Sequence, residues 1–98
     1  MDLKIEFDNE AASLLLNVIN TFGPKKQEEM AIEEMSELTT ALLHLRRKKC
    51  NKDNVIDEIA DVCILMTQLS SMYGSEKVHT RIIEKLNRQV ERMKINLP

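Results

Sequence analysis

Two short runs, Glu33-Glu34-Met35-Ser36-Glu37 and Glu58-Ile59-Ala60-Asp61, separated by a segment that carries a basic cluster, decide how this chain is read. In each run two acids stand three residues apart, Glu34 with Glu37 and Glu58 with Asp61. On a helix such residues share a face, one turn from each other. Met35, Leu38, Leu42 and Leu45 form an apolar arc on the first helix, with Glu34 at its edge and Glu37 just beyond. On the second, Val55, Ile59, Val62, Leu65, Met66 and Leu69 form a wide arc that contains Glu58 and has Asp61 on its margin. Two antiparallel helices packed through these arcs bring four carboxylates into one small volume. Like charges so placed cannot all stay ionised and dry, because an isolated buried carboxylate takes up a proton instead. A cation resolves the conflict. Ligands that are all oxygen, with no Cys or His among them, favour a hard ion, Mg²⁺ with Mn²⁺ as a substitute.

The rest of the chain supplies a frame for these two helices. At 98 residues it has the length of one domain, and burial shared with a second copy helps a body this small. A formal net charge of −2 does not suggest a nucleic-acid or membrane partner. Aromatics are scarce and there is no Trp, whereas six Met and many Leu and Ile suit helix packing. The two cysteines, Cys50 and Cys63, do not suggest a disulfide framework. The mixed, acidic start MDLKIEFDNE does not read as a signal peptide, and no apolar run approaches a membrane span. The cytoplasm is the expected location.

In order along the chain, Leu3, Ile5 and Phe7 alternate with charged residues, as a short extended arm or an irregular helical turn. Four helices are then expected, at about 8–22, 25–49, 54–73 and 76–95. Asp8 or Asn9 caps the first, and Gly23-Pro24 ends it and opens the second. The second begins with acids and ends in Arg46, Arg47, Lys48 and Lys49, which complements the helix dipole. Asp53 caps the third and Ser75 the fourth. No segment reads as a strand. The expectation is an all-α, four-helix bundle-like fold completed by homo-oligomerisation, since apolar arcs this wide exceed what one small bundle covers.

At the two acidic runs the sequence resembles the MazG-like, all-α nucleoside triphosphate pyrophosphohydrolases, whose signature is Glu-Glu-x-x-Glu, a spacer and Glu-x-x-Asp. The resemblance extends from about Phe22-Gly23 through Gln27 and both runs to Tyr73-Gly74 and Lys85-Leu86-Asn87-Arg88, most of the chain. It implies cleavage of nucleoside triphosphates between the α and β phosphates, giving a monophosphate and pyrophosphate, in nucleotide-pool housekeeping. It implies Glu34, Glu37, Glu58 and Asp61 as metal ligands, and Glu33 as a further ligand or the group that activates the water. Lys85 and Arg88 match positions expected to face the phosphates. It also implies dimers whose nucleotide sites lie between helices. The Cys-Pro-Trp-Asp stretch of longer members is absent, so the chain looks like the short, single-domain type.

Independently of that resemblance, Arg81, Lys85, Arg88 and Arg92 recur at steps of four, three and four and form one basic stripe. The stripe reads either as phosphate contacts or as a solvated face with salt bridges. Gln27, two turns before Glu34, reads either as a substrate contact or as a surface glutamine. Two rival readings use the same features. A di-iron carboxylate protein would employ His44 near Glu37 and the Glu76-x-x-His79 pair. A non-enzymatic helical interaction module would carry the acids on a dimer seam, although unpaired acids build such a seam poorly.

Overall fold

A computed structural model describes residues 5–96. It is all-α: α1 Asn9–Phe22, α2 Pro24–Arg46, α3 Lys52–Tyr73 and α4 Ser75–Asn96, with no strand among the described residues. Residues 5–8 are not helical, which favours the arm over an early helical turn, while Leu3 lies outside the described residues.

Local chemistry sets the boundaries. The Asp8 carboxylate accepts from the Ala11 amide at 2.8 Å and caps α1. Gly23, at φ 91°, closes α1 by donating to the Ile19 carbonyl, and Pro24 opens α2, where its missing N–H is no loss. The first turn of α2 holds Lys25 and Lys26 and no acid, contrary to the expected acidic start. Its far end also differs. The helix stops at Arg46 rather than Lys49, because Lys48 turns left-handed at φ 59°. The amide of Lys49 then bonds the His44 carbonyl and that of Lys48 the Leu45 carbonyl, the Schellman pattern that satisfies the last turn. Asn51, not Asp53, caps α3: Asn51 and Asn54 exchange side-chain and backbone bonds at 3.2 Å in a reciprocal capping box. Ser75 is the first residue of α4 rather than its cap, since the Val78 amide already bonds the Gly74 carbonyl.

The structural centre is the antiparallel hairpin of α2 and α3, by far the most extensive helix contact. On α2 the inward seam is Gln27, Ala31, Glu34, Leu38, Ala41 and Leu45, buried or half-buried at helical spacing. Met35 and Leu42, expected on the arc, are 42% and 45% exposed. The buried face is thus rotated by about one residue, and Glu34 moves from the edge of the arc to its middle. Small residues explain the rotation, because Ala31 and Ala41 let the two backbones approach where Met and Leu would hold them apart. On α3, Val55 and Leu65 are buried and Val62 and Leu69 half-buried. A buried Leu such as Leu65 contributes about 1.5–3 kcal/mol. At the open end of the hairpin the Tyr73 hydroxyl donates to the Glu28 carboxylate.

α1 lies across the hairpin, burying Ile19, whereas α4 touches only α3. The first two turns of α4 approach Met66–Ser71, and every described side chain from Arg81 to Lys94 is exposed. The four helices therefore do not close into a bundle within one chain. The radius of gyration, 16.3 Å, exceeds the ~13 Å of a compact chain of this length.

Candidate metal centre

Glu34, Glu37 and Glu58 each bring a carboxylate oxygen to a common point, all three oxygens lying within 4.8 Å of one another. The register of the hairpin does this: Glu34 and Glu37 lie one turn apart on α2, and Glu58 faces them from α3. One oxygen of Glu34 and one of Glu58 are fully buried with no hydrogen-bond partner. Buried polar atoms are ordinarily satisfied, so two orphaned carboxylate oxygens in one cluster call for an unseen partner. A cation would satisfy both oxygens, and so would a proton shared between the two carboxyls.

The electrostatics agree with the geometry. Loss of hydration pushes the Glu34 carboxyl up to about 7, helped by the like charges of Glu37, Asp61 and Glu58. Loss of hydration also raises Glu58, reinforced by Glu37 and Asp61. No cation among the described residues relieves this crowding: their ion pairs are Arg81–Glu84 and Lys94–Glu91, both on α4. The donor set is all oxygen and anionic, which fits Mg²⁺ or Mn²⁺.

Asp61, the fourth expected ligand, is exposed and stands outside the tight group, although its charge acts on Glu34 and Glu58. Together with Glu34 it lines an adjoining hollow. Glu33 is exposed on the outer side of α2 and also outside the group. The cluster separates two cavities of unlike polarity. One, of about 440 Å³ between α1, α2 and α3, is walled mainly by apolar side chains such as Leu15, Met30 and Ile64. The other, of about 290 Å³, offers Ser36, Thr40, His44 and Asn54 beside Glu37 and Glu58.

Family models, curated proteins and solved structures gave no match to this chain.

The remaining sequence candidates fall in two places. Gln27 is not a surface glutamine but a buried one, 5% exposed, and its Nε2 donates to Gln68 Oε1 at 2.9 Å. Gln68 is the residue that sequence reasoning passed over. It sits two turns after Asp61 within the apolar run of α3, and a lone amide among Leu65, Met66 and Leu69 was the available signal. Arg81, Lys85, Arg88 and Arg92 lie on α4, are exposed, and are not brought to the acids of their own chain. Arg81 pairs with Glu84 at 4.0 Å, as the solvated-face reading expects. Glu76 and His79, the pair a di-iron site requires, are exposed at the start of α4 and outside the ligand group.

Proposed function

We propose that this chain is a Mg²⁺-dependent hydrolase of nucleoside or deoxynucleoside triphosphates, opening the bond between the α and β phosphates to leave a monophosphate and pyrophosphate. The observation that carries this reading is the group of three carboxylates with two orphaned, buried oxygens in the seam of the hairpin. Glu34, Glu37 and Glu58 would hold the ion, with Asp61 completing the set from the rim. When bound, such an ion supplies charge neutralisation and orientation of the phosphates. The protein's own contribution is positioning, which is most of what phosphoryl chemistry requires.

The two hollows fit the order of polarity along a nucleotide. The apolar one suits a base and the hydroxyl-lined one suits phosphate oxygens, with the acids between them. Glu33 is exposed and outside the tight group, so its role of taking a proton from the attacking water rests on the resemblance alone. The resemblance at the two acidic runs supports the same bond and the same products, and a role in the cytoplasmic nucleotide pool.

The reading includes a second copy of the chain. Ile82, Ile83, Leu86, Val90 and Met93 leave α4 with an exposed apolar face along its length, which a homodimer or tetramer would cover. In that assembly Lys85 and Arg88, flanked by Arg81 and Arg92, reach phosphates held by the acids of the other copy. Incubation with a panel of triphosphates and Mg²⁺, with products resolved, tests the proposal. Pyrophosphate and a monophosphate are expected, with EDTA abolishing turnover. Release of orthophosphate and a diphosphate would reject the assigned bond. Inertness to the whole panel, with oxygen-dependent colour on adding Fe²⁺, would favour the di-iron alternative.

A further inference from the structure

We propose that the apolar hollow between α1, α2 and α3 is a nucleobase pocket, and that the Gln27 amide, held in one orientation by Gln68, reads the edge of the base. This rests on the acid cluster being a triphosphate site and adds what that site selects.

The orientation follows from a chain of hydrogen bonds. Gln68 Nε2 donates to the Leu15 backbone carbonyl at 3.1 Å. A carbonyl can only accept, so the nitrogen of Gln68 must face Leu15 and its oxygen must face the other way. That oxygen accepts from Gln27 Nε2. One N–H of Gln27 is thereby committed to Gln68, and its carbonyl oxygen and second N–H are the groups it can offer a ligand. A flipped Gln27 would set its amide oxygen against that of Gln68. Gln68 is 1% exposed and has no freedom to relax this arrangement. An amide that presents one acceptor and one donor side by side is complementary to the edge of a nucleobase, where a donor and an acceptor also adjoin.

Placement agrees with polarity. Both glutamines line the hollow, as do Glu34 and Asp61. Gln27 precedes Glu34 by two turns on α2, and Gln68 follows Asp61 by two turns on α3. The amide pair thus lies ~10.5 Å along the groove from the acids, with apolar walls for the faces of a planar ring. A volume of about 440 Å³ is within the range of small-molecule pockets, about 300–1,000 Å³.

Gln27 is the contact residue and Gln68 positions it. The test is a titration of the ¹⁵N-labelled wild type with metal-free nucleosides, following the side-chain amide resonances. At least one nucleoside is expected to shift the Gln27 and Gln68 amide signals. Methylating the ring nitrogen on its Watson–Crick edge should abolish that shift. In the triphosphate panel, Gln27→Met and Gln68→Met should each reduce the kcat/KM ratio between the best and poorest base by about tenfold or more. A structural role alone would lower all bases together. Amide signals that no nucleoside moves, or base ratios unchanged in both variants, would overturn the inference and leave the hydrolase reading standing. Amide shifts in a wild type that hydrolyses no triphosphate would instead sustain the pocket and remove the hydrolase.

Discussion

The α2–α3 hairpin and α4 are built from helices of nearly equal length, 23, 22 and 22 residues, yet they use opposite logic. The hairpin buries polar groups: two glutamines and parts of two glutamates occupy seam positions that Leu would ordinarily fill. α4 does the reverse, exposing Ile82, Ile83, Leu86, Val90 and Met93 in a regular stripe. A buried carboxylate without a partner and an exposed apolar stripe are both costly in isolation. The proposed ligand of the hairpin and the proposed partner of α4 would offset these two costs separately. The Gln68 amide is satisfied at both ends within the chain and the glutamates are not, which separates a positioning group from the site.

Changes at the cluster should have the largest effect. Glu58→Gln is expected to reduce turnover by about 10²–10³-fold or more. In the metal-free protein the same change should raise the melting temperature, because the amide replaces a repelled carboxylate and can donate to Glu34. Added Mg²⁺ should stabilise the wild type by mass action and the variant much less. A metal-free variant that melts well below the wild type would make Glu58 a structural partner and remove the contrast with α4.

The apolar stripe comes next. Leu86→Glu should weaken self-association by about thirtyfold or more, the effect of losing one central contact of ~2 kcal/mol. Metal binding to the hairpin should persist. A wild type that sediments as a monomer at high concentration would take the partner away from α4. On the basic side of the same helix, Lys85→Ala and Arg88→Ala should each lower triphosphate turnover by about tenfold, with assembly and Mg²⁺ affinity intact. Near-normal kinetics in both would return the stripe to solvent.

A pH series sharpens the comparison, since the raised carboxyls among the described residues, Glu34 and Glu58, both lie in the hairpin. Glu34 and Glu58 have raised values in the folded chain, so the folded state binds more protons than the unfolded state above the ordinary carboxyl value of 4.5. Stability of the metal-free protein should therefore decrease as pH rises from about 4.5 to about 7, the window set by Glu34. Saturating Mg²⁺ should flatten that slope. A metal-free melting curve independent of pH in this window would contradict the crowding of the carboxylates.

The smallest effect is expected at the turn of the hairpin, away from its acid cluster. Lys48 adopts φ 59° at the α2 terminus, where Gly is the usual residue. Lys48→Gly should relieve that strain and stabilise the chain by about 0.5–1 kcal/mol in urea titrations, without altering metal affinity.

Much of this molecule was legible in the order of its residues. The helical spacing of apolar positions, the Gly23-Pro24 and Gly74 breaks and the two acidic runs specified four helices and placed the acids on facing sides of a hairpin. Those features are local, set by backbone preference and by the helical period, and they are read from neighbours a few residues apart. What lay beyond the sequence depended on which faces actually meet. Ala31 and Ala41 could be seen as small, but only the packed hairpin made them the seam and moved Glu34 to its centre. The burial of Gln27, and its partner Gln68 across 41 residues, also came from tertiary contact. Hydrogen-bond pairing between distant side chains leaves no periodic trace in a sequence. Nor did the helical pattern show that α4 would stand away from the acids of its own chain. An amphipathic helix signals that a face must be covered, while the geometry of the neighbours decides by what.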